Sequence, residues 1–143
     1  MHTFLVAFDG SAHAFRAIEK TLTLMDAKQM HIRLLNVQEP VRTNETLFKD
    51  TGAGMQEILR EREHAGMEAL KPAKAMLERA GVKHALHVET GEPGEVIPAF
   101  ARSHHCEMIV MGTRGMGKIQ GLMLGSVASK VLHLSEVPVL VVK

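Results

Sequence analysis

The stretch GTRGMGKIQGLMLGSVASK, Gly112 to Lys130, organises the reading of the whole chain. It follows the apolar run Met108 to Met111 and precedes Val127, Val131 and Leu132, which recur at helical spacing. A glycine-dense loop between a strand and a helix lets successive backbone N–H groups converge on an anion. Glycine permits positive φ and close approach, and the helix that follows adds free N–H groups and the positive end of its dipole. The stretch therefore predicts a phosphate cradle in a nucleotide-binding protein. The same composition also fits a surface loop without a ligand.

Working outward, strands and helices alternate. Leu5 to Phe8 form a first strand ending at Asp9-Gly10-Ser11, a turn and helix-start signal. Ala14, Phe15, Ile18, Leu22 and Met25 then mark a helix, and His31 to Val37 a second strand closed by Pro40. Val41 to Gly54 has no period and reads as a surface loop. Met55 to Ala80 is helical in composition, with Pro72 predicted to kink or split it and Gly81 to stop it. Lys83 to Thr90 is a third strand. Gly91-Glu92-Pro93 opens a short helix carrying Val96, Ile97 and Phe100. Cys106 to Met111 is the fourth strand, Ser126 to Leu134 a helix, and Val137 to Val142 the last strand. Alternation of this kind implies a single α/β domain, a parallel sheet with helices on both faces, because parallel neighbours need crossover connections.

Bulk composition narrows the function. The 143 residues are 45% apolar and 23% charged, as expected of one globular domain. Lys and Arg total 17 against 16 for Asp and Glu, so no broad basic surface for nucleic acid is expected. Five Phe and no Tyr or Trp leave few platforms for stacking bases. The single Cys106 suits a reduced compartment, and neither a signal peptide nor a membrane span is apparent, so a cytoplasmic protein is expected.

Two familiar phosphate loops fail against the sequence. Gly117-Lys118 follows Gly112 by five residues, but Ile119 stands where the P-loop requires Ser or Thr. The dinucleotide fingerprint G-x-G-x-x-G is missing after the first strand, where only Asp9-Gly10-Ser11 stands. Among the nine histidines, His104-His105-Cys106 suggests a metal cluster, yet consecutive side chains on an extended chain diverge. His84 and His87 should point to opposite faces of the third strand. The ten methionines read as core and gap fillers, with Met116 and Met123 as an exposed pair on the glycine loop.

The spacing Gly112-x2-Gly115-x9-Gly125-Ser126 resembles the ATP-binding signature of the universal stress protein family. LVAFDGS at 5–11, LLNVQEP at 34–40, Gly91-Glu92-Pro93, EMIVMGTRG at 107–115 and VPVLVVK at 137–143 extend the resemblance to nearly the whole chain, residues 1–143. It implies a five-stranded parallel sheet in the order 3-2-1-4-5. In such a sheet the ligand crevice lies where strands 1 and 4 diverge. Asp9 ends strand 1 and Gly112 ends strand 4, so two independently located features meet at one place.

The resemblance also implies a nucleotide site. Asp9 would contact the ribose-phosphate region or a Mg²⁺ bound with it, since magnesium suits one carboxylate plus phosphate oxygens. Taken alone, Asp9 reads more readily as a turn former or helix N-cap. The Val37 backbone would hold the adenine edge, with Ala7, Phe8 and Met111 near base or ribose. Ala7 departs from the proline that family members often carry there. Gly112, Arg114, Gly115, Gly125, Ser126 and Val127 would cradle the phosphates, with Lys118 and Lys130 as lesser candidates. Arg114 also fits a solvated loop cation.

The resulting expectation is a small ATP-binding regulatory protein (AMP or ADP being the other adenine ligands considered) that holds nucleotide rather than turning it over quickly. No general base other than Asp9 stands near the loop; slow hydrolysis, or phosphorylation at Ser126 or Ser129, is compatible with the sequence. The resemblance further implies a homodimer through Val137 to Val142, an apolar run that would otherwise be a hazard as a free edge. Two alternatives stand: a dimerisation module that has lost its ligand, and an adenylating enzyme of the adenine-nucleotide α-hydrolase group. The second lacks the SGGxDS or HIGH motif such enzymes use.

Overall fold

The computed structural model describes residues 1–40, 52–114 and 124–143. In chain order these form β1 (His2–Ala7), α1 (Ala12–Leu24), a 3-10 turn (Ala27–Gln29), β2 (Met30–Gln38), α2 (Gly52–Arg79), β3 (Lys83–Thr90), α3 (Pro93–Ser103), β4 (Met108–Gly112), α4 (Ser126–Leu134) and β5 (Val139–Val142). The five strands make one sheet in the order β3-β2-β1-β4-β5, every pairing parallel. The expected order is therefore observed.

Alternation along β1 builds both sides of the core. Phe4, Val6 and Phe8 face Ala14, Ala17 and Ile18 of α1 and Leu70, Ala73 and Leu77 of α2. Leu5, with Leu35, Ile109 and Met111, faces Ile97, Phe100 and Ala101 of α3 and Ala128 and Val131 of α4. Register locks this pattern: Val6 lies beside Leu34 of β2 and Val110 of β4. A slip of one residue would turn each strand's apolar set to the wrong layer. Each fully buried aliphatic side chain adds about 1.5–3 kcal/mol of transfer free energy.

The turn after β1 forms for local reasons. Asp9 Oδ1 accepts from the Ser11 N–H at 2.9 Å, Gly10 takes φ +85°, and Ser11 Oγ accepts from the Ala14 N–H at 3.1 Å as the N-cap of α1.

Several boundaries differ from the sequence expectation. Pro72 does not split its helix: α2 runs unbroken from Gly52 through Arg79. Leu70, Ala73 and Leu77, all fully buried, clamp the residues around the proline, so packing outweighs the lost hydrogen bond. Gly81, at φ +69°, follows the helix end as expected. Cys106 is not in β4. Its N–H bonds the Ala101 carbonyl at 2.9 Å to finish the turn after α3, where His105 takes φ 52°, and the strand starts at Met108. Likewise β5 starts at Val139, since Ser135 Oγ and Val137 exchange hydrogen bonds in the preceding turn. The expected loop from Val41 to Gly54 lies outside the described residues as far as position 51, and its last three residues already belong to α2. Met116, Lys118 and Met123 also lie outside the described residues.

Among the described residues no helix is long and apolar enough to cross a membrane. At the sheet's edge, all four residues of β5 are half-buried.

Candidate functional site

The chain leaves β1 towards α1 on one face and leaves β4 towards α4 on the other, so a crevice opens between the two carboxyl ends. Ala7, Phe8 and Asp9 form one lip, and Met111, Gly112, Thr113 and Arg114 the other. Thr113 anchors its lip on both sides: its N–H donates to the Val142 carbonyl at 2.8 Å and its carbonyl accepts from the Gly125 N–H at 2.6 Å. Thr113 and Gly125, on either side of the glycine-rich stretch, are thereby tied together.

Gly125 is the N-cap of α4 and supplies no side-chain hydrogen bond to the first turn. Ser126, exposed, opens the helix. The N–H groups of that turn are therefore without a capping side chain, as an anion site requires. Gly125 is also where the chain crosses closely: an added Cβ would lie 3.2 Å from the Thr113 carbonyl oxygen and 3.3 Å from Arg114 Cα.

The other half of the crevice is apolar. Ala7, Val37 and Val127 are half-buried and pack against the layer formed with α3 and α4, joined there by Leu124, which sequence reasoning missed. Met111 lies in the same layer, nearly buried at 6% exposure. Phe8 is different. Its side chain sits in the opposite layer, edge-on to Phe15 with centroids 4.9 Å apart. Its N–H is given to the Leu35 carbonyl and its carbonyl accepts from Asn36 Nδ2 at 3.0 Å. Strand alternation separates it from its neighbour Ala7.

Asp9 is exposed, with Oδ1 engaged by Ser11, and Arg114 is half-buried. Gly115 lies outside the described residues. Lys130, read as a lesser phosphate candidate, is instead held by Glu92 at 2.9 Å and Glu95 at 3.2 Å, and ties α4 to the start of α3. Ser129 is exposed.

His13 is a second residue that sequence reasoning missed. It projects from the first turn of α1, where its Nδ1 accepts from Arg16 Nη2 at 3.0 Å and lies 3.3 Å from the hydroxyl of buried Thr113. Burial lowers its pKa, and Arg16 and then Arg114 lower it further, against the opposing pull of Asp9. The imidazole is therefore neutral at pH 7. The only sequence signal was its position two residues after the N-cap.

Gly112 explains how His13 comes so close. A Cβ on Gly112 would meet His13 Cβ at 2.5 Å. The glycine is required here for helix–strand contact, besides any role towards a ligand.

Chemically, an apolar slot, an uncapped helix start, one arginine and one carboxylate suit a planar heterocycle joined to phosphates. Among the described residues no group of three or more His, Cys, Asp or Glu is placed to hold a metal by itself. A separate cavity of about 270 Å³ opens at the other, amino-terminal end of the sheet beside Cys106 and Val137.

The model of the universal stress protein family matches residues 1–143. The universal stress protein YxiE of Bacillus subtilis is 34% identical over 146 residues, spanning 97% of each chain. Among solved structures, the hypothetical protein MJ0577 superposes with a TM-score of 0.84 at 27% identity, over 99% of this chain and 95% of its own. Two more distant structures share the fold. One is a universal stress protein in complex with cAMP, with a TM-score of 0.68 and 22% identity over 99% of this chain and 95% of its own. The other is a family protein from Arabidopsis thaliana with AMP bound, with a TM-score of 0.69 and 18% identity over 100% and 92%.

Proposed function

The chain belongs to the universal stress protein family, and on that premise we propose that it is a cytoplasmic regulatory protein that binds an adenine nucleotide, ATP in the first place, in the crevice between β1 and β4. One observation carries the reading. The half-buried apolar residues Ala7, Val37 and Val127 pack against the α3 and α4 layer at the end of the sheet where α4 starts without a capping side chain and Arg114 follows β4. AMP and cAMP in two fold relatives are in keeping with an adenine ligand.

In this reading the adenine lies against Ala7, Val37, Leu124 and Val127, with Met111 beneath. The phosphates accept hydrogen bonds from the backbone of Gly112, Gly115, Ser126 and Val127, pass close to Gly125, whose own N–H serves Thr113, and take charge compensation from Arg114. Phe8 contributes position rather than side-chain contact. The free oxygen of the Asp9 carboxylate suits a Mg²⁺ shared with phosphate oxygens, a single-carboxylate arrangement that magnesium accepts. Neutral His13 backs Thr113, the residue before Arg114. Nothing in this set positions a water for fast attack, so the bound nucleotide acts as a signal, with hydrolysis slow or absent.

Calorimetry with ATP, ADP, AMP and cAMP tests the proposal, together with mass spectrometry of what co-purifies. Binding of at least one at micromolar strength, weakened by Arg114→Ala, is expected. No affinity for any of the four overturns it.

A second proposal rests on β5. Its half-buried apolar edge favours a homodimer formed through Val137 to Val142. A module that dimerises without ligand would keep this edge and lose nucleotide affinity. A monomeric mass by sedimentation at micromolar concentration contradicts the dimer.

A further inference from the structure

The face of the sheet that α3 covers is only partly covered at its β3 edge. Alternation puts His31 and Arg33 on the same face as Leu35, and register puts Lys83 beside His31 and His87 beside Leu35. Arg33 Nη1 donates to His87 Nε2 at 3.1 Å. The His87 ring stands edge-on to Phe100 of α3 at 4.8 Å and to His104, the C-cap of that helix, at 5.4 Å. His104 in turn stacks on Phe100 at 3.7 Å with the rings 12° from parallel, and its Nδ1 is engaged by the Phe100 carbonyl and Ser103 Oγ. Three imidazoles, a guanidinium and an ammonium thus share one half-open surface.

That surface is electrically unbalanced. Among the described residues none of His31, Arg33, Lys83, His87 and His104 pairs with a carboxylate. Arg33 is half-buried and permanently charged, and its Nε is buried with no acceptor. An unmatched donor on a partly desolvated cation marks an incomplete network, and natural cores seldom leave one.

We propose that this cluster is a second ligand site, separate from the nucleotide crevice, for a small phosphate- or carboxylate-bearing anion held by Arg33, His31, His87 and His104. A planar guanidinium favours oxyanions, which accept from its remaining N–H groups with charge assistance. On protonation His87 Nε2 changes from acceptor to donor, so the anion takes over the Arg33 N–H it released and gains an imidazole donor beside it.

Binding at this site is linked to protons. Burial first, then the charge of Arg33, holds His31 and His87 below the ordinary histidine range, with Lys83 and His84 adding to the effect on His31 and His104 and His31 to that on His87. An anion beside Arg33 cancels that repulsion and lets both rings take up protons. Affinity therefore rises as pH falls.

The test follows histidine ring signals by NMR in the full chain, titrating inorganic phosphate, then citrate, at constant ionic strength so that screening does not change. Saturable shifts at His31 and His87 are expected, with their pKa values rising by about one unit. Arg33→Gln should weaken the response by about tenfold. Phosphate acting at the glycine loop is read separately at His13, so a response confined to His13 overturns the proposal. So does an equal response in Arg33→Gln, or one no larger than chloride gives. If Arg33→Gln fails to fold, the His31→Gln/His87→Gln double variant takes its place, and unchanged anion affinity in that protein by calorimetry is equally fatal.

Discussion

Gly112→Ala tests the close contact on which the crevice is built. The new methyl would lie 2.5 Å from His13 Cβ and 2.8 Å from the His13 backbone carbon. Carbon atoms rest at about 3.5–4.0 Å, so the overlap is about 1 Å and falls on helix backbone, not on a flexible tip. β4 is pinned between β1 and β5, so α1 must give way. Overpacking of this kind costs about 1–3 kcal/mol. Alanine's smaller unfolded-state entropy returns about 0.4–1 kcal/mol, since Gly112 has no positive φ. An overlap of about 1 Å on backbone puts the overpacking cost in the upper half of its range. The net loss is therefore about 1–2.5 kcal/mol, or a Tm lower by roughly 3–10 °C in a chain of this size. Retreat of α1 also stretches the 3.3 Å His13–Thr113 contact, so nucleotide affinity should fall with stability. Urea unfolding and ATP calorimetry on the same preparation read both. A variant within about 0.3 kcal/mol of wild type, with unchanged affinity, would refute the reasoning.

Three further outcomes are expected. Pro72→Ala should stabilise the chain by about 1–3 kcal/mol, because it restores a donor inside an unbroken helix; a loss in denaturant unfolding would show that the proline is needed. Lys130→Met should leave nucleotide affinity within about twofold of wild type, since Glu92 and Glu95 already hold the ammonium, and a much larger loss by calorimetry would return Lys130 to the phosphate site. Stability should decline with acid. The folded state keeps His31 and His87 below the ordinary 6.5, so as pH drops through that value the unfolded chain takes up protons that the folded chain refuses. Stability is full above this window and lost progressively below it. His87→Gln should flatten the decline, and an identical pH slope in that variant by urea titration would count against the assignment.

Local patterns were legible without coordinates. The apolar run from Leu5, the Asp9-Gly10-Ser11 turn and the two ends of the Gly112–Ser126 stretch each depend on residues close in sequence, and they form a strand, a capped helix start, and a strand end with a following helix start. Phe8 shows where this stopped. A strand of known extent still needs its facing layers before one can say which neighbour faces α3 and α4, and here it is Ala7 and not Phe8. Pro72 shows the same limit in a helix, where propensity argued for a break and buried Leu70, Ala73 and Leu77 prevented it.

By itself the sequence determined the alternation of elements, the family resemblance and the place of the glycine-rich stretch between β4 and α4, because hydrophobic period, turn chemistry and glycine spacing are written within short stretches. Only the tertiary structure decided that His13 backs Thr113 across an interval of 100 residues, that Lys130 serves two glutamates, and that Arg33 meets His87 with no carboxylate partner among the described residues. The reason is physical. A side chain's charge state and role depend on what surrounds it in space, and parallel strands joined by crossovers bring together residues that are distant in sequence.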